Sequence, residues 1–252
     1  MKSTDPSIFS PSDYRSYTAS QWKVSPDLIS IPPHLIITFH RSMFDTIRRR
    51  IRGRFVDWYY NRRIAVGKLG GVDFGLLHSF MGSSAASMML EEMVASGARE
   101  VIEVGTCGGL TSSARVGDII VAEEAFADEG TSSHYFRNMK RFAASRRMTT
   151  SLKRSLSDAG LGFKSGGIWT TDAPYRETKT KLLRYREQGA LGVNMESSAL
   201  FAVASYRGVE VGSLQIVSDI VDVNNWRPGF NEKRVALQSI AASNAVLDAF
   251  QA

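Results

Sequence analysis

Val101-Ile102-Glu103-Val104-Gly105-Thr106-Cys107-Gly108-Gly109 decides how the rest of the chain is read. A strand-like run over 101–104 enters a tight loop of three glycines and two small side chains. In open α/β sheets, ligands bind beyond the carboxyl ends of strands. Glycines at such an end let backbone N–H groups approach an anion or a sugar oxygen closely. The same composition also suits a plain tight turn. It is neither a Walker loop, because no Gly-Lys-Ser/Thr follows, nor the GxGxxG dinucleotide pattern.

The flanks alternate strands with helices. Upstream, 34–39 is a short apolar run, 55–60 and 64–69 read as strands paired around Asn61, Arg62 and Arg63, and 73–80 is a strand ending at Met81-Gly82. Ser83 or Ser84 suits the N-cap of a helix reaching Ser96, with Ala85, Met88, Met89 and Met93 at helical spacing and Gly97 as its stop. Downstream, strands are expected over 118–122, 167–170, 191–194 and 209–218, and helices over 149–159, 177–188, 196–207 and 231–250. Gly189 and Gly208 are placed to end two of those helices. The pattern predicts an α/β fold: a single domain over 31–252 with a mixed, largely parallel central sheet flanked by helices, and a polar extension over 1–30.

Composition narrows the function. The chain has 252 residues, 43% hydrophobic and 22% charged, enough for one large core and unlike a disordered chain. No apolar run approaches the roughly 18 residues that span a bilayer, and residues 1–30 lack a signal-peptide pattern. The expectation is a cytoplasmic protein. One cysteine, Cys107, and four scattered histidines exclude an internal disulfide and argue against a zinc site. The net charge of +6 is uneven: Arg48, Arg49, Arg50, Arg52, Arg54, Arg62 and Arg63 lie close together, with Phe55, Trp58, Tyr59 and Tyr60 among them. Such a cluster serves a basic solvent face, a small anion or nucleic acid. Nucleic acid is the least expected of the three.

Two carboxylates stand where chemistry is expected. Glu196 opens an apolar helix, where the helix dipole favours a negative charge in any protein; in a site it would accept hydrogen bonds from a pair of sugar hydroxyls. Asp219 ends the run Leu214-Gln215-Ile216-Val217-Ser218. It suits a turn or cap, or a general acid: breaking an N-glycosidic bond leaves negative charge on the base, which a carboxylic acid can protonate.

Taken together, Phe80-Met81-Gly82, Val104-Gly105-Thr106-Cys107-Gly108-Gly109, Val116-Gly117-Asp118-Ile119-Ile120-Val121, Thr170-Thr171-Asp172, Gly192-Val193-Asn194-Met195-Glu196-Ser197 and Ile216-Val217-Ser218-Asp219 resemble the nucleoside phosphorylase and nucleosidase superfamily. They occur in that family's order, and the resemblance covers roughly 34–250. It implies that Glu196 holds the ribose hydroxyls, with Met195, Met81 and Thr106 against the sugar. It implies that Asp219 is the acid at the base, as in the purine-acting members, with Arg234 as its partner near the start of the last helix. Thr171, Asp172, Tyr175 and Ser218 fall in the base-recognition segments, although Ala173-Pro174-Tyr175 lacks the stacking Phe expected there. Gly105, Thr106, Arg41 and Arg63 are the candidates for holding phosphate.

Two departures concern phosphate. Where the phosphorylases carry Gly-Asp-Pro-x-Arg, this chain reads Thr38-Phe39-His40-Arg41-Ser42, and where they carry an Arg two residues before the central Gly, it has Glu103. A carboxylate there repels phosphate unless neutralised, so an ion pair with Arg41, Arg62 or Arg63 is expected. The resemblance implies a phosphorylase that gives base and ribose 1-phosphate, with inorganic phosphate as co-substrate and no cofactor or metal. N-ribohydrolysis of a nucleoside or nucleotide by water is the alternative, and a non-catalytic ligand or nucleic-acid binder on the same fold is the rival from another class. Family members complete their sites from an adjacent subunit, so a homo-oligomer built from dimers, up to a hexamer, is expected.

Overall fold

Strand β1 (His34–Thr38) shows why helices cover both faces of the sheet. Side chains alternate faces along a strand; Leu35 and Ile37 join one buried apolar cluster and Ile36 the other. The computed structural model describes residues 2–25, 30–56, 62–110 and 114–251. In chain order its elements are α1 (Pro11–Gln21), β1, α2 (Arg41–Arg50), β2 (Arg54–Phe55), β3 (Ile64–Leu69), β4 (Val72–His78), α3 (Ser83–Ala95), β5 (Glu100–Gly109), β6 (Ile119–Asp128), α4 (Ser132–Tyr135), β7 (Arg141–Ala143), α5 (Arg146–Asp158), β8 (Phe163–Thr171), α6 (Lys179–Glu187), β9 (Ala190–Asn194), α7 (Ser197–Arg207), β10 (Glu210–Val221), β11 (Trp226–Pro228) and α8 (Lys233–Ala249).

The sheet is mixed, and its two longest ladders, β10 with β5 and β6 with β8, are parallel. β1 joins β5 and β4 in parallel, and the antiparallel β3 and β2 extend that edge. At the other side β10 bonds both β5 and β6, while β6, β8, β9 and β5 bond in succession. Five strands thus close into a ring. Helices α3 and α7 pack together on one face, contributing Met89, Leu90, Met93, Leu200 and Phe201 to one cluster. Helices α2, α5 and α8 cover the other with Phe44, Ile47, Leu152, Leu156 and Val246. Each such side chain stabilises the fold by about 1.5–3 kcal/mol through burial. No helix among the described residues is long and apolar enough to cross a membrane.

The structure corrects the reading of 105–109. These residues continue strand β5 instead of forming a loop, and their glycines serve strand approach: a Cβ on Gly109 would meet Ala114 Cβ and Val217 Cγ1 at 2.9 Å, and one on Gly192 would meet Cys107 Sγ at 2.8 Å. Most other boundaries move by a few residues; β6, β8 and β10 run longer than expected. The cap of α3 also differs. Gly82, at φ 98°, holds that position without a side-chain bond, and Ser83 Oγ instead donates to Met195 O at 2.7 Å. The 1–30 extension contains α1, whose Ser10 and Asp13 form a capping box and whose Arg15 donates to Ala95 O at the end of α3 at 2.9 Å. Of the strand expected over 55–60, Phe55 pairs with Ala65 in β2–β3; 57–61 lie outside the described residues.

Candidate active site

β5 is the axis of the site. Val193 of β9 and Asp219 of β10 both stand opposite Gly108, one on each side of it. From Val193 the antiparallel chain runs back past Asn194 and Met195 to Glu196, the N-cap of α7. From Val217 the register shifts, so Ser218 is an extra residue in β10 and Asp219 takes the place opposite Gly108. A bulge of this kind re-aims the side chains beside it.

Glu196 is buried and oriented by two backbone donors, Gly82 N–H to Oε1 at 2.8 Å and Met195 N–H to Oε2 at 3.1 Å. The positive φ of Gly82 turns its amide toward the carboxyl. Burial pushes the Glu196 carboxyl up to about 7; Glu103 adds to the rise, and the two amides oppose it. Each oxygen keeps lone-pair capacity for a further donor. Met81 and Phe80 are exposed beside it, and the Arg63 guanidinium lies over the Phe80 ring at 3.9 Å. Gly82 thus links the Phe80-Met81 segment, with Arg63 over the Phe80 ring, to Glu196 and Met195.

A cavity of about 520 Å³ opens between α2 and α8, with Thr106 and Ser218 at its floor, His40 beside them and Arg49 among its lining. His40 Nε2 stands 2.9 Å from Thr106 Oγ1, and burial holds the imidazole below its usual range. His40 and Arg49 were not singled out by the sequence: one stood in a loop that had lost its motif, the other in a basic cluster. Arg41 bonds Asp45, itself among the lining, at 3.0 Å, and its guanidinium lies near the rings of Phe44 and Phe55.

Asp219 Oδ1 accepts from Ser218 Oγ at 2.8 Å and Oδ2 from Trp226 Nε1 at 2.8 Å. Arg234 does not join it; its guanidinium bonds Asp118 Oδ1 at 2.9 Å, because its side chain lies over Gly117 beside that residue. Thr171 is buried at the end of β8 with its hydroxyl accepting from Ala173 N–H at 3.2 Å, and Asp172 accepts from Gly130 N–H at 2.8 Å. Tyr175, in a short 3-10 turn over Pro174–Arg176, is fully exposed. Just after that turn, Glu177 is half-buried; burial first, then the charge of Asp219, push it up to about 7. No sequence motif had marked Glu177.

Among the described residues, Glu103 makes no ion pair of the kind expected. Glu103 is wholly buried and receives Ser197 Oγ at 2.6 Å and Asn194 Nδ2 at 3.3 Å, with Ser213 and Gln215 also acting on it. Burial raises its pKa, and those neutral donors oppose the rise. The side chain points toward Ser197 at the start of α7, on the face of Val101 and not the face that α2 covers. Asn194 Oδ1 in turn accepts from Thr170 Oγ1 at 3.0 Å, so this network fixes the turn that presents Glu196.

The chain is 29% identical over 180 residues to a DeoD-type purine nucleoside phosphorylase of Bacillus cytotoxicus, covering 69% of this chain and 72% of that protein. Uridine phosphorylase of Vibrio fischeri superposes with a TM-score of 0.76 at 24% identity, over 89% of this chain and 93% of that one. AMP nucleosidase of Bacteroides thetaiotaomicron does so with a TM-score of 0.72 at 20% identity, over 95% and 97%. At such identities the two structures show the fold alone. Residues 50–251 match the family model of the phosphorylase superfamily, and the chain belongs to that superfamily, which holds both phosphorylases and nucleosidases.

Proposed function

We propose that the chain cleaves the N-glycosidic bond of a purine ribonucleoside and transfers the ribosyl group to inorganic phosphate, giving free base and ribose 1-phosphate. The observation that carries this reading is Glu196: a buried carboxyl, oriented by Gly82 and Met195, with capacity left on both oxygens for the 2′ and 3′ hydroxyls. Ionised, it stabilises the positive charge that grows on the sugar as the bond loosens. The acceptor enters the cavity floored by Thr106, beside His40 and the first amides of α2, with Arg49 lining the same cavity. Asp219 lies across β5 from Glu196, on the side of the base. Arg234 takes part there only by leaving Asp118. The purine preference rests on Ser218-Asp219 and on the DeoD-type relative. The same reading includes a homo-oligomer in which a neighbour completes the site.

A second reading, transfer to water, is favoured by Glu103: a buried carboxyl among neutral donors stands where a phosphate-holding Arg would be, and a neutral imidazole, His40, contacts Thr106. Incubation with purine and pyrimidine ribonucleosides, with and without phosphate, tests both. Ribose 1-phosphate formed only with phosphate supports the first reading; free ribose, formed equally without it, establishes the second and overturns the first.

A further inference from the structure

Past Asp219 the chain forms a tight hairpin. Asp222 N–H donates to Asn225 O at 3.0 Å and Asn225 N–H to Asp222 O at 3.3 Å, and β11 returns antiparallel along β10 with Trp226 opposite Val221 and Pro228 opposite Asp219. Arg186 of α6 holds the turn through Asp222 at 3.0 Å. Gly229 then lets the chain pass close over the cavity floor: a Cβ there would meet Ser218 O at 2.9 Å and Val116 Cγ1 at 2.6 Å. The next residue, Phe230, lines the same cavity as Thr106 and Ser218.

This path sets two aromatic rings side by side at the end of β10. The centroids of Trp226 and Phe230 are 6.2 Å apart, with the rings tilted by 50°. The indole N–H donates to Asp219 Oδ2 at 2.8 Å, which anchors that ring beside the carboxyl. An indole N–H only donates, and a carboxyl oxygen takes more than one donor, so the bond fixes the ring without closing Asp219 to a base. Trp226 nevertheless stays 56% exposed and Phe230 55%. Apolar area left in water is area that a ligand gains by covering. The segment in which a stacking ring was expected supplies none: Thr171 and Asp172 carry no ring, and Tyr175 stands fully exposed.

We propose that Trp226, with Phe230 beside it, is the ring on which the base stacks, so that the β10–β11 hairpin is the base-recognition wall of the site. The proposal rests on the reading above that the base of a purine ribonucleoside lies toward Asp219. A π-face anchored beside a carboxyl suits a nucleobase, whose flat face stacks on the indole while its edge hydrogen-bonds the carboxyl. A fused two-ring base covers more of a Trp–Phe wall than a single ring does, so the wall favours purines.

The test is the binding of 9-deazainosine, a purine nucleoside whose carbon–carbon link to ribose cannot be cleaved, measured by calorimetry and by tryptophan fluorescence. Trp226→Ala weakens binding about 10- to 100-fold while the melting temperature stays within a few degrees. Trp226→Phe, which keeps a ring face and loses the N–H, binds within about threefold of the unaltered protein. It also abolishes the fluorescence change that binding causes in the unaltered chain, although Trp22, Trp58 and Trp169 remain. Should Trp226→Ala fail to fold, Trp226→Leu, apolar but without a π-face, takes its place with the same expected loss. A folded Trp226→Ala or Trp226→Leu that binds as tightly as the unaltered protein overturns the proposal. So does a Trp226→Phe that loses as much as Trp226→Ala, because the bond to Asp219 and not the ring then carries the effect, and so does a fluorescence change that survives Trp226→Phe. If the unaltered protein neither binds 9-deazainosine nor cleaves a purine ribonucleoside, the purine reading fails and this proposal falls with it.

Discussion

Replacing Glu196 by Gln exchanges one carboxylate oxygen for an NH2 group in a site already supplied with donors. Gly82 N–H at 2.8 Å or Met195 N–H at 3.1 Å then loses its acceptor. A buried donor left unpaired costs about 1–3 kcal/mol. Part of this is offset, because burial already pushes the carboxyl up to about 7 and the amide removes that desolvated charge. The fold is therefore expected to survive. Catalysis is not spared. Hydrogen bonds to a charged partner contribute about 1.5–3 kcal/mol each; two sugar hydroxyls bring about 3–6 kcal/mol, and an amide retains only the weaker part. A loss of about 3 kcal/mol, or roughly a hundredfold in kcat/KM, is expected. The assay measures kcat/KM on a purine ribonucleoside and on its 2′-deoxy analogue, for both proteins, beside thermal unfolding. Because the variant and the analogue remove parts of one interaction, their effects should not add. A folded Glu196→Gln with near-normal turnover, or one that loses the same factor on both substrates, refutes the role assigned to Glu196.

Three further outcomes follow from the structure. Glu103→Arg should not restore a phosphate site; it places a cation among Ser197, Asn194 and Ser213, and a lowered melting temperature consistent with about 3 kcal/mol or more is expected, while an unchanged melting temperature with tighter phosphate binding would contradict the placement. Burial raises Glu92 from the ordinary 4.5 to about 7, so the folded protein holds a proton that the unfolded chain releases, and stability falls as pH rises between those values; Glu92→Gln should flatten that part of the melting-temperature profile, and an unchanged slope would count against it. Sedimentation at assay concentration should show a homo-oligomer, and a fully active monomer would contradict the shared site.

Much of the fold was legible because burial is periodic. Leu35, Ile36 and Ile37 alternate between the two clusters, Met89 and Met93 follow one helical face, and Gly208 ends α7 in the left-handed region at φ 70°. Ring closure was not legible. That Gly108, Gly109 and Gly192 exist to let β5, β9 and β10 approach is a fact of strands distant in sequence. The site was read to a similar depth. Glu196, Met195, Met81 and Thr106 sit in motifs that keep their spacing on adjoining strands and helix ends, and the structure places them along β5 and its neighbours. The partners of Glu103, Asp219 and Arg234 come from distant segments: Ser197 from α7, Trp226 from β11 and Asp118 from the residue before β6. Charge on a sequence does not say which face a side chain takes, which is how Glu103 came to be paired with arginines it never meets.

The central claim, that Glu196 holds a ribose while the base lies toward Asp219, is tested most directly by a crystal structure with a purine C-nucleoside, whose carbon–carbon link cannot be cleaved. The account predicts both Glu196 oxygens within about 2.6–3.2 Å of the 2′ and 3′ hydroxyls and the base N7 toward Asp219. A ribose bound away from Glu196, or a base turned from Asp219, would contradict it.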